Sequence, residues 1–309
     1  MIYTITLNPA IDITVSTDFL KKDSINTSYF KSISVGGKGF NTSRALDCLG
    51  CKNIALSFHG GFFSASMQKI LKNERISNYL IPIENNIRVN IKIQEEVSKK
   101  LIELNERGPD LSLSETEELI NRIDNLKPDP GYVVISGSLP GNMDGSIYKR
   151  MIETLKKRNI TTILDTSGEP LYKGISAIPD IIKINRLELS YISTNYLKKD
   201  PEEVLLDLIK KGVKNIMVTD GPNTAYYYDI SGKYSAKPAV VSNNYATGAG
   251  DSVNAGLVYS IKNGMDIEGR IKFCIACGSA NLLSAIPGKI DRETIERLMT
   301  EVEVKKERS

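Results

Sequence analysis

The segment Thr247-Gly-Ala-Gly-Asp-Ser252 places small residues and one carboxylate directly ahead of an apolar helical run. Small residues let the backbone turn tightly, so the N–H groups of Gly248, Ala249 and Gly250 can point at one spot at the N-terminus of the helix and bind an anion. The negative charge of Asp251 would repel that anion, so a role other than anion binding must explain the aspartate at this position. It could accept the proton of an alcohol that attacks a phosphoryl group. It could equally cap the helix, and the segment alone leaves both interpretations open.

A second glycine-rich stretch, Gly36-Gly-Lys-Gly-Phe-Asn41, precedes another helical run. It lacks the spacing of a P-loop, and no G-x-G-x-x-G follows a predicted strand, so neither a Walker-type NTPase nor a Rossmann dehydrogenase is supported. Gly37 and Asn41 suit hydrogen bonds to sugar hydroxyls, and Lys38 could meet a phosphate. An ordinary loop before a helix is the alternative.

Two further polar groups follow predicted strands. Asn185 and Glu188 stand three residues apart, so both can face one way at a helix start. Their oxygens suit Mg²⁺ or its bound waters, although the same spacing also suits a helix-capping pair.

Ser138, in Ser136-Gly-Ser-Leu-Pro140, offers a hydroxyl beside backbone N–H groups, and phosphate is a plausible ligand there. Arg88 begins a predicted strand and could bind a phosphate with two hydrogen bonds, although a lone arginine on an edge strand is more often only solvated.

The elements that must position these groups alternate between short apolar runs and longer amphipathic stretches, which predicts an α/β fold with a mostly parallel sheet covered by helices. The predicted strands are Tyr132–Ser136, Thr161–Asp165, Ile181–Asn185 and Asn215–Thr219. The predicted helices are Asp144–Arg158, Pro201–Lys211, Asp266–Ala285 and Asp291–Val302, and a capping box is predicted at Ser114 and Glu117. Ligands of such sheets bind beyond the carboxyl ends of the strands.

Two segments break this alternation, roughly residues 11–34 and 86–107. Their period-two pattern predicts a small antiparallel sheet, and we interpret it as a lid that excludes water from the site. With no internal repeat or interdomain linker, residues 1–309 are predicted to form one domain that carries this lid.

Composition excludes several functional classes. The chain has 309 residues and a net charge of +3, which gives no reason to expect nucleic acid or an anionic membrane surface as a partner. No apolar run reaches the ~20 residues of a membrane span, and four cysteines without a sign of oxidation suit a reducing compartment, so a cytoplasmic protein is expected. Helix packing is favoured over zinc binding for the pairs Cys48/Cys51 and Cys274/Cys277, and a strand-end position over catalysis for His59.

Six motifs in order resemble the phosphofructokinase B type of sugar-phosphate kinases in the ribokinase superfamily, more narrowly the branch of 1-phosphofructokinases and tagatose-6-phosphate kinases. The resemblance spans nearly the whole chain and implies a ribokinase-like three-layer fold. The motifs are Thr6-Leu-Asn-Pro-Ala-Ile-Asp12, Gly36-Gly-Lys-Gly-Phe-Asn41, Asn105-Glu-Arg-Gly-Pro109, Ser136-Gly-Ser-Leu-Pro140, Asp165-Thr-Ser-Gly-Glu169 and Gly248-Ala-Gly-Asp251.

The resemblance also implies an activity, in which ATP with Mg²⁺ phosphorylates a ketohexose monophosphate. Fructose 1-phosphate is the first candidate acceptor, followed by tagatose 6-phosphate and fructose 6-phosphate, and a binding protein that has lost most activity is the alternative from another class. The implied residues are Asp251 as base; Gly248, Ala249 and Gly250 as anion hole; Asp12, Gly37, Lys38 and Asn41 at the sugar; Arg88 and Ser138 at its phosphate; Asn185 and Glu188 at magnesium; and Asn185, Thr219, Gly221 and Asn281 at ATP. A homodimer through the lid sheet is implied as well.

Overall fold

A computed structural model describes residues 1–128, 131–242 and 245–307 of the chain, so the remaining residues of the predicted single domain lie outside the described ones. The strands are β1 (Ile2–Thr6), β2 (Ala10–Thr17), β3 (Tyr29–Gly36), β4 (Asn53–Gly60), β5 (Asn78–Ile83), β6 (Arg88–Glu95), β7 (Leu101–Asn105), β8 (Tyr132–Ser136), β9 (Thr161–Asp165), β10 (Ile181–Asn185), β11 (Asn215–Thr219), β12 (Ala225–Asp229), β13 (Gly232–Lys237) and β14 (Glu303–Lys306). The helices are α1 (Lys38–Cys48), α2 (Ser64–Asn73), α3 (Leu113–Asp124), α4 (Ser146–Lys157), α5 (Gly168–Ile175), α6 (Arg186–Ile192), α7 (Pro201–Lys210), α8 (Ala249–Lys262), α9 (Ile267–Asn281) and α10 (Arg292–Met299).

The main sheet contains ten of these strands in the order β14-β13-β12-β11-β10-β9-β8-β1-β4-β5. The neighbouring strands in the run β11-β10-β9-β8-β1-β4-β5 pair in parallel. Strands β12, β13 and β14 extend one edge of the sheet by antiparallel pairing. The predicted strands β8, β9, β10 and β11 are confirmed with the predicted bounds. Their β-branched and apolar runs are bounded by turns, as is typical of strands buried on both faces.

Helices cover both faces of this sheet, because successive side chains of a strand point to opposite sides. In β8, Val133 and Ile135 contribute to one buried apolar cluster with residues of α2 to α7. Val134 contributes to the other cluster, with residues of α1, α8, α9 and α10. The predicted three-layer arrangement follows from this alternation. Among the described residues, no helix has the length and apolar character needed to span a membrane.

The predicted helices are present with slightly shorter bounds, and one predicted capping box is wrong. The box lies at Ser112 and Glu115, not at Ser114 and Glu117. The sequence Ser112-Leu-Ser-Glu-Thr-Glu117 contains the required spacing twice, so local pattern cannot choose between the two registers. The choice is made by a tertiary contact, since Glu115 Oε1 accepts a hydrogen bond from the backbone N–H of Glu84 at 2.7 Å.

The predicted lid is a separate four-stranded sheet with the order β3-β2-β6-β7. The two outer pairs, β2–β3 and β6–β7, are antiparallel as predicted. The inner pair, β2–β6, is parallel, because the chain passes through the main sheet between these two strands and returns in the same direction. The sequence pattern gives strand positions but not strand direction, so this difference was not predictable from alternation alone.

The cysteines and the single histidine lie in the elements that the sequence indicated. Cys274 and Cys277 are buried in α9, and Gly256 of α8 packs closely on the Cys274 backbone. His59 lies near the end of β4, where its Nδ1 is 2.7 Å from Ser64 Oγ. The close α8–α9 contact fixes the position of α8, whose N-terminus forms part of the site described next.

Candidate active site

The predicted site residues converge where β1, β8, β9 and β10 end and α1 and α8 begin. Asp251, in the first turn of α8, is 5% exposed. Its Oδ2 accepts a hydrogen bond of 2.8 Å from Asn41 Nδ2 of α1, and its carbonyl oxygen accepts one of 3.2 Å from Thr42 Oγ1. Residues that lie more than 200 positions apart in the sequence therefore form one polar cluster.

The environment of Asp251 makes its carboxyl group titrate close to neutral pH. Burial raises the pKa of Asp251 to about 6, and the nearby ammonium of Lys38 limits the rise. A pKa near the operating pH is what a general base requires, because the group must be ionised and must still attract a proton. The helix-capping alternative does not explain this burial, since a cap needs only a hydrogen bond to the backbone, and α8 has no side-chain cap.

The loop ahead of α8 is shaped by Gly248 and Asn281. Gly248 has φ of 90°, a left-handed conformation that favours glycine. Asn281 is fully buried in α9. Its Nδ2 donates to the carbonyl of Thr247 at 2.9 Å, and its Oδ1 accepts from the N–H of Gly288 at 2.8 Å. Asn281 was predicted to lie beside ATP. The two hydrogen bonds of its side chain stabilise the conformation of the loop ahead of α8.

The start of α8 presents open N–H groups, as an anion hole requires. Among the residues that the structure describes, the N–H groups of Gly248, Gly250 and Asp251 donate to no protein acceptor. The N–H of Ala249 donates to the carbonyl of Ala246 at 3.2 Å. Two of the three predicted amides, those of Gly248 and Gly250, are therefore open, and anion binding by them stays a prediction.

Asp165, at the end of β9, contacts several polar side chains of the site, and it was not among the predicted site residues. Its Oδ1 lies 2.8 Å from Lys38 Nζ, and its Oδ2 lies 3.3 Å from Lys183 Nζ and 2.6 Å from Asn254 Nδ2. Burial alone would raise the pKa of Asp165, but the two ammonium groups hold it well below its usual range. Asp165 in turn raises the pKa of Lys38 above its usual range, with help from Asp251, although burial opposes the rise. Asp165 and Lys38 are therefore both charged at neutral pH.

The predicted sugar residues lie on the side of the cluster that faces the lid. Asp12 of β2 accepts a hydrogen bond of 2.8 Å from Asn90 Nδ2 of β6. Gly36 is needed here for space, because a Cβ atom on it would lie 2.5 Å from the Asp12 carboxylate. Gly37 has φ of 128°, which lets the chain turn from β3 into α1. Asn90 was not predicted, and its place opposite Asp12 in the register is the signal that could have found it.

Arg88 and Ser138, the predicted phosphate residues, are connected through Asn8. Arg88 Nε donates to the Asn8 carbonyl and Nη1 donates to the Glu106 carbonyl, both at 3.2 Å. The Asn8 side chain donates to Ser138 Oγ at 3.2 Å. Burial lowers the pKa of Arg88, with Asp12 and Glu106 opposing the change. In the described part of the chain no carboxylate forms a salt bridge with Arg88, so its half-buried charge suits an anionic ligand.

The predicted nucleotide and metal residues lie at the neighbouring strand ends. Asn185 and Glu188 form the reciprocal capping box that was the alternative to metal binding, and Thr219 lies opposite Asn185 in the register of β10 and β11. Gly221 follows with φ of 56°. Glu188 Oε2 is used in the capping box, whereas Oε1 accepts no hydrogen bond from any described residue. A free carboxylate oxygen is a group that Mg²⁺ commonly takes from a protein.

Comparisons with known proteins identify the family and the fold. The sequence profile described as pfkB family carbohydrate kinase matches residues 5–289. The 1-phosphofructokinase of Borreliella burgdorferi is 33% identical over 98% of this chain and 98% of its own length. The tagatose-6-phosphate kinase of Staphylococcus epidermidis (strain RP62A) is 28% identical over 98% of this chain and 99% of its own length. The crystal structure of ribokinase from Thermotoga maritima superposes with a TM-score of 0.77 at 18% identity, covering 97% of this chain and 99% of that one. This last similarity concerns the fold alone, and it confirms the predicted ribokinase-like fold.

Asp251→Asn is expected to raise the free energy of unfolding at pH 7. The native pKa of about 6 lies above the ordinary value of 3.8, so between these pH values the native state binds more protons than the unfolded state. The contribution of Asp251 to stability is therefore lost as the pH rises through this window. The difference corresponds to at most about 3 kcal/mol. Urea unfolding of both proteins at pH 4 and pH 7 measures it; a variant that gains no more at pH 7 than at pH 4 would contradict the pKa assignment.

Proposed function

Because the chain belongs to the pfkB family of carbohydrate kinases, we propose that it transfers a phosphoryl group from ATP to a free hydroxyl of a ketohexose monophosphate. Fructose 1-phosphate is the proposed acceptor, with fructose 1,6-bisphosphate and ADP as products. The observation that carries the proposal is the buried Asp251 carboxylate, with a pKa of about 6, beside open N–H groups at the N-terminus of α8.

In the proposed reaction, Asp251 is the general base. The acceptor oxygen attacks the γ-phosphorus of ATP, the bond from that phosphorus to the bridging oxygen breaks, and ADP leaves. Asn41 occupies Asp251 Oδ2, so Oδ1 is the oxygen that takes the hydroxyl proton. The N–H groups of Gly250 and Asp251 stabilise the charge that develops on the transferred group, and Gly248 gives the loop the conformation that presents them.

The acceptor is proposed to bind between the small sheet and the start of α1. Asp12, Gly37, Lys38 and Asn41 hold its hydroxyl groups, and Arg88 with Ser138 holds its phosphate. The support for this division is chemical. Arg88 is a half-buried cation that forms no salt bridge with a described residue and donates to the backbone carbonyls of Asn8 and Glu106, whereas Asp12 and Asn90 offer the mixed donors and acceptors that sugar hydroxyls need.

ATP is proposed to lie along Thr219 and Gly221, with its phosphates towards α8. Asn185 and Glu188 would hold Mg²⁺ there, in part through water, and the ion would neutralise phosphate charge. Asn281 would act on this region through the loop that it stabilises, without touching the nucleotide.

The second candidate acceptor is tagatose 6-phosphate. It is favoured by the similarity to the tagatose-6-phosphate kinase of Staphylococcus epidermidis over nearly the whole chain. Both acceptors are ketohexose monophosphates, so the same base and anion hole would serve either. They differ in which end of the sugar carries the phosphate and in the configuration at C4, so contacts to the sugar hydroxyls would distinguish them.

The small sheet is proposed to form a homodimer contact, because one of its faces is apolar. Pairing places Ile33, Ile13, Ile91 and Leu104 in one row across the four strands. Phe30, Val15, Ile93 and Ile102 form the next row on the same face. Phe30 is 66% and Leu104 is 55% exposed in the single chain. Apolar rows of this extent typically mark an interaction surface, and a second copy supplies a surface of the same shape.

Wild-type enzyme is expected to turn over fructose 1-phosphate with a higher kcat/KM than tagatose 6-phosphate or fructose 6-phosphate. Asp251→Asn is expected to lower kcat by ~100-fold or more, as for loss of a general base. Coupled ADP release measures turnover, and calorimetry should show nearly unchanged acceptor binding. Asp207→Asn on α7 is the matched control and should keep wild-type turnover. An Asp251→Asn enzyme with normal kcat would remove Asp251 from the mechanism, and preference for another acceptor would replace the proposed substrate.

Arg88→Ala is expected to raise the KM for the sugar phosphate by ~10-fold or more while changing the KM for ATP little, because a charge-assisted contact to the acceptor phosphate is lost. Arg88→Lys keeps the charge without the paired donors, so its KM should fall between those of wild type and Arg88→Ala. Initial-rate kinetics with each substrate varied in turn distinguish the two constants. A larger effect on ATP would place Arg88 at the nucleotide.

Leu104→Glu is expected to shift the protein from dimer to monomer, because it puts a charge into the apolar row that the second copy would cover. Leu113→Glu is the matched control, since Leu113 is 88% exposed at the start of α3 and lies outside the small sheet. Sedimentation velocity at equal concentrations measures the assembly. A wild-type monomer, or a Leu104→Glu protein that assembles like wild type, would exclude this interface.

A further inference from the structure

Lys183 is a buried cation that the predicted site residues did not include and that the proposed mechanism does not use. It lies in β10 and is 4% exposed. Its ammonium is 3.3 Å from Asp165 Oδ2. A Cβ atom added to Gly250 would lie 2.6 Å from Lys183 Nζ. The ammonium group therefore lies directly against the first turn of α8.

Burial of the Lys183 ammonium group is unfavourable for folding, so its presence suggests a functional role for the charge. Removing an ammonium group from water destabilises a protein unless a partner compensates for it. Asp165 is that partner, and it also contacts Lys38 and Asn254, so Lys183 shares its carboxylate with a second ammonium group. An apolar side chain of the same length would fill this space without the loss of hydration. The structure nevertheless places the charge beside the turn of α8 whose Gly250 and Asp251 N–H groups donate to no described acceptor.

The glycine at position 250 supports the same conclusion. Gly250 is a helical residue that lacks a positive φ, so its backbone conformation does not require glycine. What requires it is space, because any side chain would displace the Lys183 ammonium. The ammonium group of Lys183 thus occupies the space that a side chain at position 250 would need, and this contact links β10 to the proposed anion hole in α8.

On the basis of the proposed function, we propose that Lys183 is a positioning residue for phosphoryl transfer. Held by Asp165, its charge adds to the positive potential of the α8 N-terminus and so strengthens the attraction of the Gly250 and Asp251 N–H groups for the γ-phosphate of ATP. It acts through the helix turn without touching the substrate. Its charge also matters after transfer, because Asp251 becomes neutral when it takes the proton, and the two lysines then balance Asp165 and the added phosphoryl charge.

Lys183→Met is expected to lower the preference for triphosphate over diphosphate. Calorimetry without acceptor, using a non-hydrolysable ATP analogue and ADP, gives the ratio of the two affinities. We expect this ratio to fall by about tenfold or more, the order found when a charge facing a desolvated anionic group is removed. Asn254→Ala is the matched structural control, since it removes the other partner of Asp165 Oδ2 and changes no charge. An equal fall in both variants, or none in Lys183→Met, would overturn the proposal.

A second readout is the pH profile of kcat/KM. The groups around Asp251 are Lys38 and Asn41 of α1, Asp165 of β9 and Lys183 of β10, and Lys183 lowers the pKa of Asp251. Lys183→Met should therefore move the acidic limb to higher pH, whereas Asn254→Ala should leave it in place; an unmoved limb in Lys183→Met counts against the proposal.

The outcomes also separate this proposal from the proposed function. If wild type phosphorylates no sugar phosphate, the proposed function fails, and the triphosphate preference still tests Lys183. Should Lys183→Met not fold, Gly250→Ala gives the same test, because the added Cβ displaces the ammonium while the charge remains in the protein. A Gly250→Ala protein with the wild-type ratio would then exclude the role of Lys183.

Discussion

The site depends on the neutralisation of a carboxylate that has no access to water. Asp165 is completely buried, and an isolated carboxylate in that position would take up a proton instead of staying charged. Lys38 and Lys183 prevent this from opposite sides. Each lysine belongs to a different element, so one ion-pair network joins the end of β9 to the start of α1, to β10 and, through Gly250, to the start of α8. The elements that form the proposed catalytic site are thus held together by the charge of the Asp165 carboxylate, which they surround.

Two carboxylates in this site have pKa values displaced in opposite directions. Asp165 stays ionised because cations and an amide surround it, whereas burial leaves Asp251 ready to take a proton near neutral pH. Such pairs are a common way to assign separate roles to chemically identical side chains. The difference arises from the neighbours, because the carboxylate of Asp251 receives one amide hydrogen bond from Asn41 and no direct ammonium contact from any described residue. The carboxylate that stays charged, Asp165, and the proposed general base, Asp251, are therefore distinguished by their neighbours.

Much of the fold could be predicted from local pattern. The strands β8 to β11 follow from short apolar runs, and the site location follows from the rule that ligands bind at the carboxyl ends of parallel strands. What failed depends on contacts between distant residues. The capping-box register was set by Glu84, and the parallel β2–β6 pair by the path of the chain through the main sheet. Lys183 sits within an ordinary strand sequence, Ile181–Asn185, where nothing local distinguishes an ammonium group directed at a helix turn from one directed at solvent.

The small sheet shows how one alternating pattern can serve two surfaces. Asp12 pairs with Asn90 on its polar face, and Ile13 pairs with Ile91 on its apolar face. Successive residues of the same two strands thus face the proposed sugar site and the proposed second copy. A partner that covers the apolar face would restrict the motion of β2 and β6 and with it the Asp12–Asn90 hydrogen bond. The proposed dimer contact and the proposed acceptor site therefore use the same two strands.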